Sequence, residues 1–372
     1  MAITQKQRLL AAARKEKVDR LPFGARIDVW YNYHSAHGTL PEKYKDCNMV
    51  EILRDQGAGV DLRHLRTWKV EYTNLEVEIK KDPPRTTTIW HTPLGSVSLT
   101  TVLTVQEGPW IAYEVKYPFT GKEDYAVIAH ILENTHLVPN PDEYYKKAAM
   151  LGEDGLVMTG MASYSPMQAV MRYWIGYDKF FYELHDNKSQ IERLFELEKE
   201  VAKQKIKIVS ELPLEMVQLC ANWSDEFHTP LFAKYFVPWL KEASDYFHSI
   251  GKVTRVHADG EMKRLIPYFP ETGIDVAEGW SPAPMTSVTT LELRKAWGDK
   301  VTIWGGIPAI LFEPQYTDEE FDDYVKNLFK DIAPGYGFIV GMGDNLPFDG
   351  KIERVGRVVE LINKYGKVPI EI

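Results

Sequence analysis

Cysteine is scarce in this chain: Cys47 and Cys220 are the only two among 372 residues. That excludes a disulfide scaffold, and it means that a zinc site would have to draw on nitrogen and oxygen ligands rather than a set of thiolates. The sequence also lacks any run of 18 apolar residues, and its start, MAITQKQRLLAAARKEK, is basic and amphipathic without the continuous apolar stretch of a signal peptide. The expectation is a cytoplasmic protein with no membrane partner. Positive charge is in short supply too. Against 53 acidic side chains stand 44 Lys plus Arg, so the net charge is −9, and no basic stripe is available to displace counterions from a phosphate backbone. Nucleic acid is therefore not an expected partner. No G-x-G-x-x-G opens a helix after the first strand, and WGGIP at 304–308 does not have the spacing of a nucleotide phosphate loop. What is plentiful is core material, with 44% hydrophobic and 12% aromatic residues.

The pattern of that material changes along the chain. Thr4, placed before Leu9, Leu10, Ala12 and Ala13, predicts a capped helix over 5–14, followed by an extended run at 21–27. Between about 70 and 120, β-branched and aromatic residues alternate, with breaks at DPP, PLG and EGP, which predicts an inserted antiparallel sheet. After 140 the rhythm becomes strand then helix. Strand patterns at LVMTGMA, EMVQLCAN, KVTRVHA, GIDVAEG, VTIWGG and GFIVGMG are interspersed with helical spacing at 141–152, 189–210, 229–250, 318–332 and 351–365. Repeated strand–helix units predict an α/β fold with a parallel sheet. At this length a (β/α)8 TIM barrel is favoured, with residues 1–372 as a single domain and the β-rich insertion at 70–120. Seven strands are counted this way, and the eighth is expected from 125–138.

In such a barrel, chemistry gathers where the strands end. KVTRV delivers His257 and Asp259, IDVA delivers Glu278, MVQLCA delivers Asn222, Trp223, Asp225 and Glu226, and FIVGMG delivers Asp344. One imidazole and several carboxylates on one face could hold a divalent metal or supply a general acid and base with separated pKa values. Each residue also has an ordinary explanation. Asp225 and Asp259 could cap the helices that follow them, and His257 could be a hydrogen-bonded core histidine. Glu278 is harder to explain that way, since an unpaired buried carboxylate is costly. The first strand and its loop, ARIDVWYNYH, form a second candidate. Arg26 and Asp28 share one side of an extended strand, and Trp30, Tyr31, Tyr33 and His34 crowd its exit, which suits a small planar ligand or, equally, an aromatic lid beside a structural ion pair. Tyr164 and Met158 could line the same pocket or belong to the core.

RLLAAARKEKVDRLPFGAR, the His-Ala-Asp-Gly turn at 257–260, WGGIP, and GFIVGMGDNLPFDGKIERV at 337–355 resemble the uroporphyrinogen decarboxylase superfamily. That superfamily includes cobalamin-dependent methyltransferases, whose zinc-binding members carry His-x-Cys and a distant Cys. Here the first pair falls on His257 and Asp259, the distant ligand falls at Asp344, and both cysteines are missing. The decarboxylase itself pairs its arginine with a second one four residues later, but position 30 is Trp, and Asp344 stands where its last-strand histidine is expected. Decarboxylation of a tetrapyrrole is therefore disfavoured.

The aromatic segment around Trp30 is most similar to the methyltransferase components of anaerobic O-demethylases, which pass a methyl group from a phenyl methyl ether to a separate corrinoid protein. The resemblance thus implies zinc held by His257, Glu278 and Asp344 near the ether oxygen. Asp28, Glu226 and Asp259 would assist catalysis, and Arg26, Trp30, Tyr31, Tyr164, Asn222 and Trp223 would surround the substrate. The cobalamin would be carried by the partner corrinoid protein. Homodimerisation is an expectation of the resemblance alone. The alternatives are a decarboxylase or lyase of the same fold acting on a smaller acid, and a non-catalytic corrinoid or tetrapyrrole binder.

Overall fold

The computed structural model of the chain describes residues 3–103, 112–159 and 164–371. It divides into two compact units, one of residues 1–65, 142–163 and 213–372, the other of residues 66–141 and 164–212.

The first unit is an α/β assembly of parallel strands. Among the described residues eight are present: β1 (Gly24–Ala25), β2 (Gly59–Leu65), β3 (Gly155–Thr159), β4 (Met216–Gln218), β5 (Val253–His257), β6 (Val276–Trp280), β7 (Thr302–Ile307) and β8 (Phe338–Met342). They form two parallel ladders, β1-β2-β3 and β4-β5-β6-β7-β8, and a parallel bridge between Phe23 and Val340 joins the first strand to the last. This is the strand order that a (β/α)8 barrel requires. Strands β5 to β8 are buried along their whole length, which is why they read as nearly continuous apolar runs in the sequence.

Local signals set the helices. α1 (Gln5–Ala13) starts at Thr4, which accepts from the Gln7 backbone while Gln7 reaches back to Thr4, so the expected cap is a reciprocal capping box. The helices Asp318–Ile332 and Glu353–Tyr365 follow the expected spacing closely. The 229–250 helix is regular only over Val237–Ser249, after one 3-10 turn and a π-helical turn.

Two expectations about the parallel strands need correction. The eighth strand is β2, not a strand at 125–138. That stretch forms the helix Asp124–Glu133 and the strand Thr135–Pro139, which pairs antiparallel with Trp68–Tyr72. β2 was hidden because VDLRHL carries an acid and two basic side chains in what had to be a buried strand. The extended run at 21–27 contains only the two-residue β1; Asp28 opens α2 (Asp28–His37). Its acidic side chain in the first turn and the left-handed Gly38 that caps it (φ 64°) favour a helix over a strand.

The second unit contains the inserted sheet. Strands Glu76–Asp82, Arg85–Thr92, Gly95–Leu103 and Ala112–Lys116 form an antiparallel meander as the alternation predicts. Trp90, Val97 and Leu99 supply its buried side, and the helices Tyr177–Asp186 and Lys188–Ser210 belong to the same unit. The EGP turn and residues 160–162 of the strand pattern at 156 lie outside the described residues. Among the described residues, no helix is long and apolar enough to cross a membrane.

Candidate active site

His257 and Glu278 are register partners in the parallel ladder between β5 and β6, so the two side chains leave neighbouring strands on the same side at the same height. The His257 Nδ1 lies 2.9 Å from a Glu278 carboxylate oxygen. A register shift follows in β6 at Gly279, whose φ is +81°. A Cβ at that glycine would sit 2.4 Å from the His257 ring, so the bulge must be glycine for the imidazole to occupy its place. On the other side of the ring, Nε2 lies 3.2 Å from Asp344 and 3.7 Å from Asp259. Asp344 follows β8 and has a φ of +74°, a left-handed conformation that an aspartate adopts more readily than most residues. Glu278 and His257 are buried, while the Asp344 side chain is about half exposed.

Three arginines complete the constellation. Arg26, just past β1, donates to Asp344 at 2.6 Å and lies 3.4 Å from Asp28. Arg63 on β2 pairs closely with both Asp61 and Glu278. Arg255 on β5 donates to Asp61 at 2.9 Å and to Gln218 at 2.8 Å, and its guanidinium lies 5.2 Å from the centre of the Trp304 ring. Asp61, Arg63 and Arg255 did not emerge from the sequence reading. A signal existed for Arg255, which alternates with His257 along KVTRVHA and so shares its face. Asp61 and Arg63 alternate in the same way, but on a strand that the sequence concealed.

Opposed charges set the protonation states. Burial alone would push the His257 imidazole down, yet the carboxylates of Glu278, Asp259 and Asp344 outweigh it and raise its pKa to about 9. The ring is therefore an imidazolium at neutral pH. Burial works against the Glu278 charge as well, but Arg63 and His257 hold it well below the ordinary value. Asp344, whose side chain is about half exposed, is likewise lowered, because His257 and Arg26 outweigh the partial desolvation of its carboxyl. Asp259 goes the other way: burial raises it, reinforced by the negative Asp344 and Glu278.

His257, Glu278, Asp344, Asp259, Arg26 and Asp28 therefore come together. Several of the other sequence candidates are engaged elsewhere. Trp223 is 3% exposed and packs edge-on against Phe232, Phe236 and Phe269, which makes it part of a core cluster rather than a ligand wall. Trp30 is buried on α2 against His34, and Tyr31 is half-buried in the first turn of the same helix, which Asp28 opens. Glu226 is exposed on the short helix Asp225–His228. Asp225 does not cap the helix that follows it: Ser224 is the N-cap there, and Asp225 accepts from the Arg264 backbone at 2.9 and 3.0 Å, in the turn before the 3-10 helix Ile266–Glu271. Asn222 is half-buried with φ +62°. Met158 is core. Tyr164 belongs to the second unit, where Arg172 lies 5.1 Å over its ring.

The residues expected to hold zinc do not fit a single ion in this arrangement. Glu278 and Asp344 address opposite nitrogens of the His257 ring, so an ion bound through either nitrogen would meet only one of them. Each carboxylate is also engaged by an arginine. Among the described residues, no group of three or more His, Cys, Asp or Glu side chains is arranged to hold a metal ion. The arrangement is a carboxylate–imidazolium–carboxylate chain, suited to holding and delivering a proton.

Comparison with known proteins agrees with the fold. The chain superposes on a methyltransferase from Methanosarcina mazei with a TM-score of 0.64, covering 98% of this chain and 99% of the other at 13% sequence identity. No curated protein sequence matches. Residues 130–365, which include β5, β6 and β8 with His257, Glu278 and Asp344, match the uroporphyrinogen decarboxylase (URO-D) family. The chain belongs to that family.

Proposed function

We propose that the protein is a methyltransferase that takes the methyl group of a phenyl methyl ether and passes it to the Co(I) corrinoid of a separate protein, with His257 as the proton donor to the ether oxygen. The observation that carries this reading is the position of His257 between Glu278 and Asp344 at the C-terminal ends of the parallel strands. A phenolate is a poor leaving group, so cleavage of the methyl–oxygen bond needs an acid at that oxygen. The corrinoid supplies the electron pair that forms the new bond to the methyl carbon. The pair of the breaking C–O bond stays on oxygen, which takes the proton from His257 Nε2 and leaves as the phenol. Glu278 stabilises the imidazolium before transfer, and Asp344 and Asp259 face the nitrogen from which the proton departs. The similarity of the fold to that of a methyltransferase supports the same reaction class.

Arg63 and Arg255 add cations that a decarboxylase or lyase could use. Asp61, Glu278 and Gln218 already engage them, which favours a structural role.

The test is methyl transfer from a panel of methoxyarenes to reduced corrinoid protein. Transfer by the wild type, lost in His257→Gln, is expected. Absence of transfer from every methoxyarene would overturn the reading.

A further inference from the structure

The site contains a device that the proposed chemistry does not itself require: a further carboxylate, Asp61, set behind Glu278. Asp61 is buried on β2, with its side chain 1% exposed. Its Oδ2 accepts from Arg63 Nε at 2.7 Å and closely from Arg63 Nη2, so it takes the guanidinium along one edge. The same oxygen accepts from Arg255 Nη1 at 2.9 Å, and Arg255 is fixed in turn by Gln218 and the Trp304 ring. Arg63 Nη2 is shared with Glu278, with which it also pairs, and Nη1 lies 3.4 Å from His257 Nδ1.

We propose that Asp61 is a positioning residue: by gripping Arg63 it fixes the arginine against Glu278, and so fixes the Glu278–His257 hydrogen bond that aims Nε2 at the substrate. The inference rests on the reading of His257 as the acid. Arginine has a long side chain with many rotamers, and a single contact at Glu278 would not select one of them. The two-point hold by Asp61 does, and Arg255 anchors Asp61 from behind. Arg63 so placed keeps Glu278 ionised as an acceptor. Displaced, it would leave a buried carboxylate whose burial favours the protonated form, which accepts poorly. The carboxylate that orients the ring thus depends on a carboxylate one guanidinium away, and this explains why β2 carries an acid and an arginine in a buried strand. The outer contacts of Arg255 make the assembly rigid without touching the reacting atoms.

The experiment compares wild type, Asp61→Asn, Asp61→Glu and the charge-balanced double variant Asp61→Asn/Arg255→Gln. The readout at one fixed pH is the hydrogen-bonded Nδ1 proton of His257 in the NMR spectrum of histidine-labelled protein, assigned by its disappearance in His257→Asn. Methyl transfer kinetics are measured alongside. The wild type is expected to show the resonance. Asp61→Asn is expected to lose or shift it and to lower kcat about tenfold or more with little change in KM, and Asp61→Glu is expected to restore it in part. If Asp61→Asn does not fold, the double variant, which removes one charge of each sign, gives the same readout and is expected to show the same loss. A His257 resonance unchanged in the folded Asn variant, or in the double variant, would overturn the role of Asp61. Absence of methyl transfer by the wild type would overturn the reaction instead, and the resonance would still decide the positioning role.

Discussion

Asp344 faces the Nε2 of His257 at 3.2 Å from a left-handed backbone position, φ +74°. The contact depends on that backbone, because the chain must turn sharply after β8 to bring the carboxylate back over β5. Asn and Asp tolerate this conformation better than branched residues do. Asp344→Asn is therefore expected to leave the melting temperature within a few degrees of wild type while lowering methyl transfer by roughly tenfold or more, as His257 loses one of the three carboxylates around it. Asp344→Val is expected to lose stability as well. Thermal melts and kcat measured on both variants separate the electrostatic role from the backbone role. An Asn variant with full activity would show that the charge is dispensable.

The raised pKa of His257 ties stability to pH in a definite direction. Its value moves from 6.5 to about 9 on folding, so the stabilisation is fully present below 6.5 and disappears as the pH rises through about 9. For this buried group the effect is on the order of 3 kcal/mol. Glu278 and Asp344 are lowered instead, so their contribution is present above the ordinary carboxylate range and disappears as the pH falls through their depressed values. Denaturant midpoints measured from pH 6 to 10 are expected to decline for wild type and to be flatter for His257→Asn. The alkaline limb of the methyl transfer rate is expected to fall in the same region. A rate that rises through pH 9 would contradict an imidazolium donor.

Much of this site was legible in sequence because parallel strands place functional residues at a predictable point. His257 and Glu278 end apolar runs of the expected length, and register pairing then brings them together without further instruction. Asp344 follows a strand of the same kind. Two of the aromatic candidates differ from the expectation for a common reason: at Trp30 and Trp223 the chain turns into a helix or a core cluster, and both side chains are buried. β2 was missed because its charges are satisfied only by partners far away in sequence, Arg255 and Glu278, which no local pattern reveals.

Glu278 should be the least replaceable carboxylate of the set. It is held by Arg63 and by His257 inside the protein, so Glu278→Gln leaves a buried guanidinium and a buried imidazolium with less compensation. Breaking a buried pair in this way typically costs about 3–5 kcal/mol. The expected result is a clear loss in urea-unfolding free energy. Asp259→Asn, which alters a partly exposed group at 3.7 Å from the ring, is expected to cost far less. Equal losses in the two variants would mean that the chain of charges is not organised around Glu278.

Gly279 offers the sharpest separation of geometry from charge. It sits at the β6 bulge with φ +81°, and a methyl group there would approach the His257 ring to 2.4 Å. Gly279→Ala removes no hydrogen-bonding group and no charge. The backbone penalty for alanine in a left-handed conformation is about 1–2 kcal/mol, which the fold can absorb. The imidazole cannot absorb the contact without moving, and moving it disturbs the Nδ1 bond to Glu278 and the Nε2 contact with Asp344. Gly279→Ala is therefore expected to fold, to melt several degrees lower, and to transfer methyl groups no faster than His257→Gln. If instead its activity falls only in proportion to its stability, the ring has room to adjust and its orientation does not limit the reaction.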